Sequence, residues 1–219
     1  MKKLYCTLDT ETLNGIVTPK LAYHIAGIIH DNTGKIVATF NYLVAQLFDA
    51  IRDDDYHKAH FSDYQEMVQN GSATLVPSVD DAVNAVEALL SFYDVETVMA
   101  YNAGFDLVRG ACSPLVENRE WVDLYCMALE CLTIRKKYAQ FCRDNNLRSR
   151  SGRTVATSAE AVYAFLTANP DYEERHTAFE DSKIEMEIFV ACIRAHKKYS
   201  KNIVARDAGK LYQIPKFRV

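Results

Sequence analysis

The chain has 219 residues, enough for one α/β domain with a real core and some decoration. Apolar side chains make up 49% of it, which argues against intrinsic disorder, and no apolar run reaches the ~20 residues that span a bilayer. The net charge of −4 hides a gradient: residues 194–219 hold eight of the 25 Lys and Arg but one of the 29 acids, so the first 193 residues carry −11.

At the N-terminus, Asp9 arrives too soon for the apolar core of a signal peptide, so a cytoplasmic protein with no membrane partner is expected. The six cysteines (Cys6, Cys112, Cys126, Cys131, Cys142, Cys192) show no C-x-x-C spacing and read as small reduced core residues. Residues 4–8 form an apolar run ending at Asp9, which suits a buried strand. Two β-rich runs, Tyr23 to His30 and Lys35 to Val44, flank Asp31-Asn32-Thr33-Gly34 and predict an antiparallel hairpin. Residues 45–76 lack a strong period and read as a surface insertion. That reading is preferred to a metal site at His57 and His60, because the neighbouring acids have no fixed pattern.

Ser78 can cap a helix whose first turn holds Asp80 and Asp81 and whose apolar positions are Val79, Val83, Val86 and Leu90. A strand is expected over 97–101, then the Asn102-Ala103-Gly104 turn, a helix over 105–112, a short strand over 121–124 and a helix from about 125 to 144. Residues 145–157, polar with Arg148, Arg150 and Arg153 around Gly152, read as a mobile loop and a second insertion. Ser158 caps a helix to about Ala168, and a last helix runs from about Ala178 to Lys198. The order predicts an α/β fold, a mixed sheet flanked by helices, over residues 1–200, with a basic tail over 201–219.

Three short segments carry the chemistry. In Leu8-Asp9-Thr10-Glu11-Thr12 the strand period of two puts Asp9 and Glu11 on one face. Two carboxylates side by side repel unless a cation lies between them, and hard oxygen ligands suit Mg²⁺ or Mn²⁺. In Ala100-Tyr101-Asn102-Ala103-Gly104-Phe105-Asp106 another acid follows a strand and a glycine turn. In His176-Thr177-Ala178-Phe179-Glu180-Asp181 a histidine precedes an acid by five residues, so both can face one cleft. Taken singly, each pattern is common: acids sit at helix starts for their dipole, and most histidines are plain surface or core residues.

In this order the segments resemble the motifs of the DEDD exonuclease superfamily, histidine subtype, the group of the proofreading subunit of bacterial replicative polymerase and of oligoribonuclease. The resemblance covers most of residues 4–192, and the longer segments look like the bacteriophage-encoded forms. It implies a ribonuclease-H-like fold and a 3′–5′ exonuclease that releases nucleoside 5′-monophosphates. Asp9, Glu11, Asp106 and Asp181 would hold two divalent ions, Mg²⁺ or Mn²⁺, and His176 would be the general base. Thr10, Thr12 and Leu13 would lie beside the terminal nucleotide, with Leu13 a wedge against the last base, and Asn102 and Phe105 would flank Asp106. The expected partner is a single-stranded nucleic acid or the 3′ end of DNA or RNA in a bacterial or phage-infected cytoplasm, with a polymerase or other replication protein as a second candidate. Arg148, Arg150, Arg153 and the C-terminal cations could follow the phosphate backbone. Alternatives are an endonuclease for hybrid duplexes, an oligoribonuclease or dinucleotide phosphodiesterase, and a nucleic-acid-binding module on the same fold.

Overall fold

A computed structural model describes residues 3–13, 22–55, 57–108, 112, 115 and 119–195. The basic tail, and the expected end of the last helix at Lys198, lie outside those residues.

The first strand, β1, runs Leu4–Thr12 and pairs antiparallel with β2, Ala22–Asp31. All ten residues of β2 are buried, as suits a strand covered on both faces. Its turn to β3, Ile36–Val44, is closed by the Asp31 carboxylate, which accepts the Thr33 N–H (2.8 Å), the Thr33 hydroxyl (2.5 Å) and the Lys35 N–H (3.2 Å). Gly34 takes the left-handed conformation this turn needs, at φ +86°.

Residues 45–76, read in the sequence as a surface insertion without a strong period, carry ordered elements and a buried cluster. They form a short α1 (Ala45–Phe48), two 3₁₀ turns, α2 (Phe61–Gln69) and β4 (Thr74–Val76), which joins β3 in parallel. Ile51, Phe61, Tyr64 and Ala73 bury with Leu13, Tyr23 and Leu43 in an apolar cluster of their own. Each large apolar side chain so buried contributes about 1.5–3 kcal/mol, enough to order a segment without helical periodicity. His57 is buried against the Tyr23 ring rather than on the surface.

Helix α3, Val79–Phe92, starts where expected: the Ser78 hydroxyl accepts the Asp81 N–H (3.1 Å). Then come β5 (Thr97–Ala100), α4 (Gly104–Val108; the part of the expected helix over 109–111 lies outside the described residues) and β6 (Glu120–Asp123). The single helix expected over 125–144 is three pieces: α5 (Leu124–Ala128), a π-helical turn over Leu129–Thr133, and α6 (Lys136–Asp144). Within 145–157, the segment expected as a mobile loop, residues 147–156 close into a small hairpin through the Arg148–Val155 bridge, with Val155 buried among α6, α7 and α8 side chains. Helix α7, Ala159–Thr167, is capped by Ser158 and ends on Ala168 at φ +52°; α8 spans Ala178–Ala195.

The sheet order is β4-β3-β2-β1-β5-β6, with β2 antiparallel to its neighbours and β5 and β6 parallel to β1. This mixed six-stranded sheet flanked by helices is the α/β, ribonuclease-H-like arrangement. Strand β1 separates two cores. Its Cys6 and Leu8 pack with α3 residues such as Val83, Val86 and Leu90, while Tyr5 packs with Ile184 and Phe189 of α8. The Thr7 hydroxyl donates to the Ser182 carbonyl (3.1 Å), tying the odd-numbered face of β1 to the start of α8. All six cysteines are buried. Among the described residues no helix is long and apolar enough to cross a membrane.

Candidate metal and hydrolytic site

The alternation of β1 that sends Leu8 into one core sends Asp9 and Glu11 to the opposite side, toward α8. Because Ser182 is anchored to Thr7, Asp181 in the first turn of α8 overhangs the same end of the strand. The carboxylates of Asp9, Glu11 and Asp181 each offer an oxygen, and these oxygens lie within 4.8 Å of one another. Asp106 approaches from α4 and is only 1% exposed. Its Oδ1 accepts the Thr10 hydroxyl (2.8 Å), and its charge is the largest of those acting on Asp9. Asp106 is not part of the 4.8 Å group.

His176 lies on the segment entering α8. Glu174, His176 and Asp181 form a second group with ligand atoms within 4.8 Å, so Asp181 belongs to both. The imidazole Nδ1 is 3.9 Å from Glu174 Oε2, and the side chain is 44% exposed, open to solvent or a substrate. Its backbone is left-handed at φ +51°, a conformation that costs a non-glycine residue about 1–2 kcal/mol and that its surroundings must hold in place.

The acids strain against one another. Burial pushes the Asp9 and Glu11 carboxyls well above the usual range, helped by Asp106 and Glu185 for Asp9 and by Asp181 and Glu174 for Glu11. Burial also raises Asp181, to about 8, with Glu174 and Glu180 adding repulsion, and raises Asp106 to about 7 against the opposing Thr10 hydrogen bond. Among the described residues no Lys or Arg pairs with these four. Asp181 Oδ1 is buried without a hydrogen-bond partner among the described residues. Converging oxygen donors, unneutralised and partly unsatisfied, fit a hard divalent cation such as Mg²⁺ or Mn²⁺.

Two acids at this site were missed in the sequence. Glu185 is buried; its Oε1 accepts the Tyr101 N–H (2.9 Å), and its Oε2 has no partner among the described residues. Burial and Asp106 raise its carboxyl. Its place four residues after Asp181, one helical turn on, was the available signal. Glu174, raised to about 7 by burial and Glu160, had no motif to mark it.

The residues expected beside a terminal nucleotide are differently disposed. Thr10 and Thr12 are buried, and the Thr10 hydroxyl is already engaged by Asp106. Leu13, expected as a wedge against a base, is 7% exposed and packs in the third apolar cluster, because the 45–76 segment supplies the wall that closes over it. Asn102 sits at φ +65° with its N–H donating to Asp123 Oδ1 (3.2 Å) and its carbonyl accepting from Phe105 (2.8 Å). Phe105 is partly exposed.

No protein-family model matches the chain, and no curated protein is recognisably similar in sequence. Solved structures do resemble it. Exonuclease I in its apo form aligns with a TM-score of 0.51 at 12% identity, covering 90% of this chain. E. coli exonuclease I with a dA16 oligonucleotide aligns at 0.50 and 12% identity, and with a 5cy-dA13 oligonucleotide at 0.52 and 10%, each covering 90% of this chain. The chain spans only 42–43% of the length of those proteins. At this identity the likeness establishes a shared fold.

Proposed function

We propose that the protein is a divalent-metal-dependent 3′–5′ exonuclease of the DEDD histidine type, acting on single-stranded nucleic acid in the cytoplasm and releasing nucleoside 5′-monophosphates. The observation that carries this reading is the convergence on Asp181 of two groups, one of carboxylates with Asp9 and Glu11 and one that includes His176. The fold shared with exonuclease I, solved with dA16 and 5cy-dA13 oligonucleotides, supports nucleic acid as the ligand. The exonuclease unit is taken as residues 1–200. A polymerase or other replication protein is proposed as a second partner on sequence resemblance alone, as is a bacteriophage origin.

In this reading Asp9, Glu11, Asp106 and Asp181 hold a pair of Mg²⁺ or Mn²⁺ ions. Bound there, the ions would polarise the scissile phosphate and offset charge on the leaving 3′ oxygen. His176, exposed beside Asp181, takes the proton of the attacking water. Thr10 restrains Asp106 through its hydroxyl, Leu13 packs into the third apolar cluster at the end of β1, and Thr12 is proposed with them to shape the end of the site. Asn102 and Phe105, on the turn before Asp106, are the side chains proposed to meet the terminal nucleotide.

The test is digestion of 5′-labelled DNA and RNA oligomers of matched sequence with Mg²⁺ or Mn²⁺, products being resolved by length. One-nucleotide steps from the 3′ end, with mononucleotides released, are expected. Internal fragments would instead indicate an endonuclease, and intact strands with either metal would overturn the proposal.

A further inference from the structure

The segment 45–76 reaches the histidine loop through a chain of buried polar contacts. Tyr64 of α2 is fully buried, and its hydroxyl donates to the His176 carbonyl (3.2 Å). That carbonyl can only accept, so the Tyr64 hydrogen points to it and the Tyr23 hydroxyl (3.1 Å) donates to the Tyr64 oxygen. Two residues beyond His176, the Ala178 N–H donates to His24 Nδ1 (3.3 Å). Nδ1 is therefore the acceptor, and Nε2 carries the hydrogen donated to Asn41 Oδ1 (2.6 Å). Asn41 in turn donates through Nδ2 to the Ser72 carbonyl (2.9 Å), back in the same segment. Burial lowers His24 to about 4, which keeps the ring neutral and this hydrogen-bond order intact. The Tyr64 ring meets both Tyr23 and His24 edge-on, and the His60 ring stands 6.4 Å from that of His176.

We propose that α2 is a latch and Tyr64 a positioning residue: its hydroxyl, with His24 on the other side, holds His176 in its left-handed backbone and so aims the imidazole. The contacts flank the residue whose conformation needs support, with the 45–76 segment closing the network at both ends. Tyr64 touches no reacting group; it acts through His176. This rests on the general-base role proposed above.

Tyr64→Phe keeps the ring and removes only the hydroxyl. In an active enzyme it should lower kcat by roughly tenfold with KM little changed, since misaimed catalytic groups lose rate rather than binding. In a His176→Ala background the same substitution should change kcat less than about twofold, because the residue it serves is gone. Equal losses in both backgrounds would overturn the latch. If the wild-type chain cleaves nothing, the functional reading fails and the latch is decided by NMR of ¹⁵N-histidine protein. The His176 ring signals should then shift in Tyr64→Phe while those of buried His30 stay fixed, and unmoved His176 signals reject the inference.

Discussion

Asp181 carries two opposing demands: the fold buries one of its oxygens without a partner, and three other acids crowd it. Asp181→Asn keeps the shape and removes the ionisable carboxyl. Under the proposed metal role, cleavage should fall by at least ~10²-fold, because losing even the partner of a metal ligand typically costs 10–100-fold. The metal-free protein should nevertheless melt a few degrees higher above about pH 8, where the Asp181 carboxyl is otherwise charged and about 1 kcal/mol of repulsion disappears. Melting curves in EDTA beside a cleavage assay check both, and a lower melting temperature would argue that Asp181 is a structural acid. Thr10 makes a subtler case. Thr10→Val leaves the packing but takes away the donor on Asp106 Oδ1. Loss of a partner that orients a metal ligand typically weakens affinity 10–100-fold. The Mg²⁺ concentration for half-maximal activity should rise by that order, with Thr10→Ser restoring it.

At the scale of elements, the site depends on β1 lying flat between β2 and β5. Gly27, paired with Leu8 and Phe40, allows this: a Cβ there would stand 2.6 Å from the Thr7 carbonyl oxygen and 2.4 Å from the Phe40 ring. The ring end can swing; the backbone oxygen cannot. Gly27→Ala should cost about 1–3 kcal/mol by overpacking and lower activity through displaced Asp9, readable by urea denaturation. The hairpin, the Ser78 and Ser158 caps and the β1 carboxylates were legible because each is a local pattern. Local chemistry also marked His176 and Asp181, five residues apart. The segment over 45–76 was not legible, since its core is assembled from Leu13, Tyr23 and Leu43 of other strands and no period in its own sequence records them. The break at Leu129–Thr133 escaped for a similar reason: Leu129, Cys131, Leu132 and Thr133 are all buried, and an apolar run of that kind hides a change of helical winding. Tyr64 and His24 meet the His176 loop across 112 and 154 residues of sequence, beyond any motif.

For the whole molecule, the raised acids make stability depend on pH and on cations together. An acid whose folded pKa exceeds its unfolded value holds its proton more tightly in the fold. The stability it lends is complete below its ordinary pKa near 4 and is lost as pH climbs through the folded value, about 7 for Asp106 and Glu174 and about 8 for Asp181. The buried histidines His24 and His30 work the other way: lowered by burial, they add stability as pH rises and are silent above their ordinary value of 6.5. Between about pH 6.5 and 8.5 the acids therefore act without that opposition, and the metal-free protein should become steadily less stable. A divalent ion displaces those protons and replaces repulsion with ligation, so it should bind more tightly over the same range. At a hundredfold excess over its dissociation constant it would add about 2.7 kcal/mol. The melting-temperature gain from Mg²⁺, measured against EDTA at constant ionic strength, should therefore widen from pH 6.5 to 8.5 and disappear in Asp181→Asn. A gain that is flat with pH, or that survives in the variant, would place the cation elsewhere on this acidic surface and leave the carboxylates at the end of β1 without their proposed task.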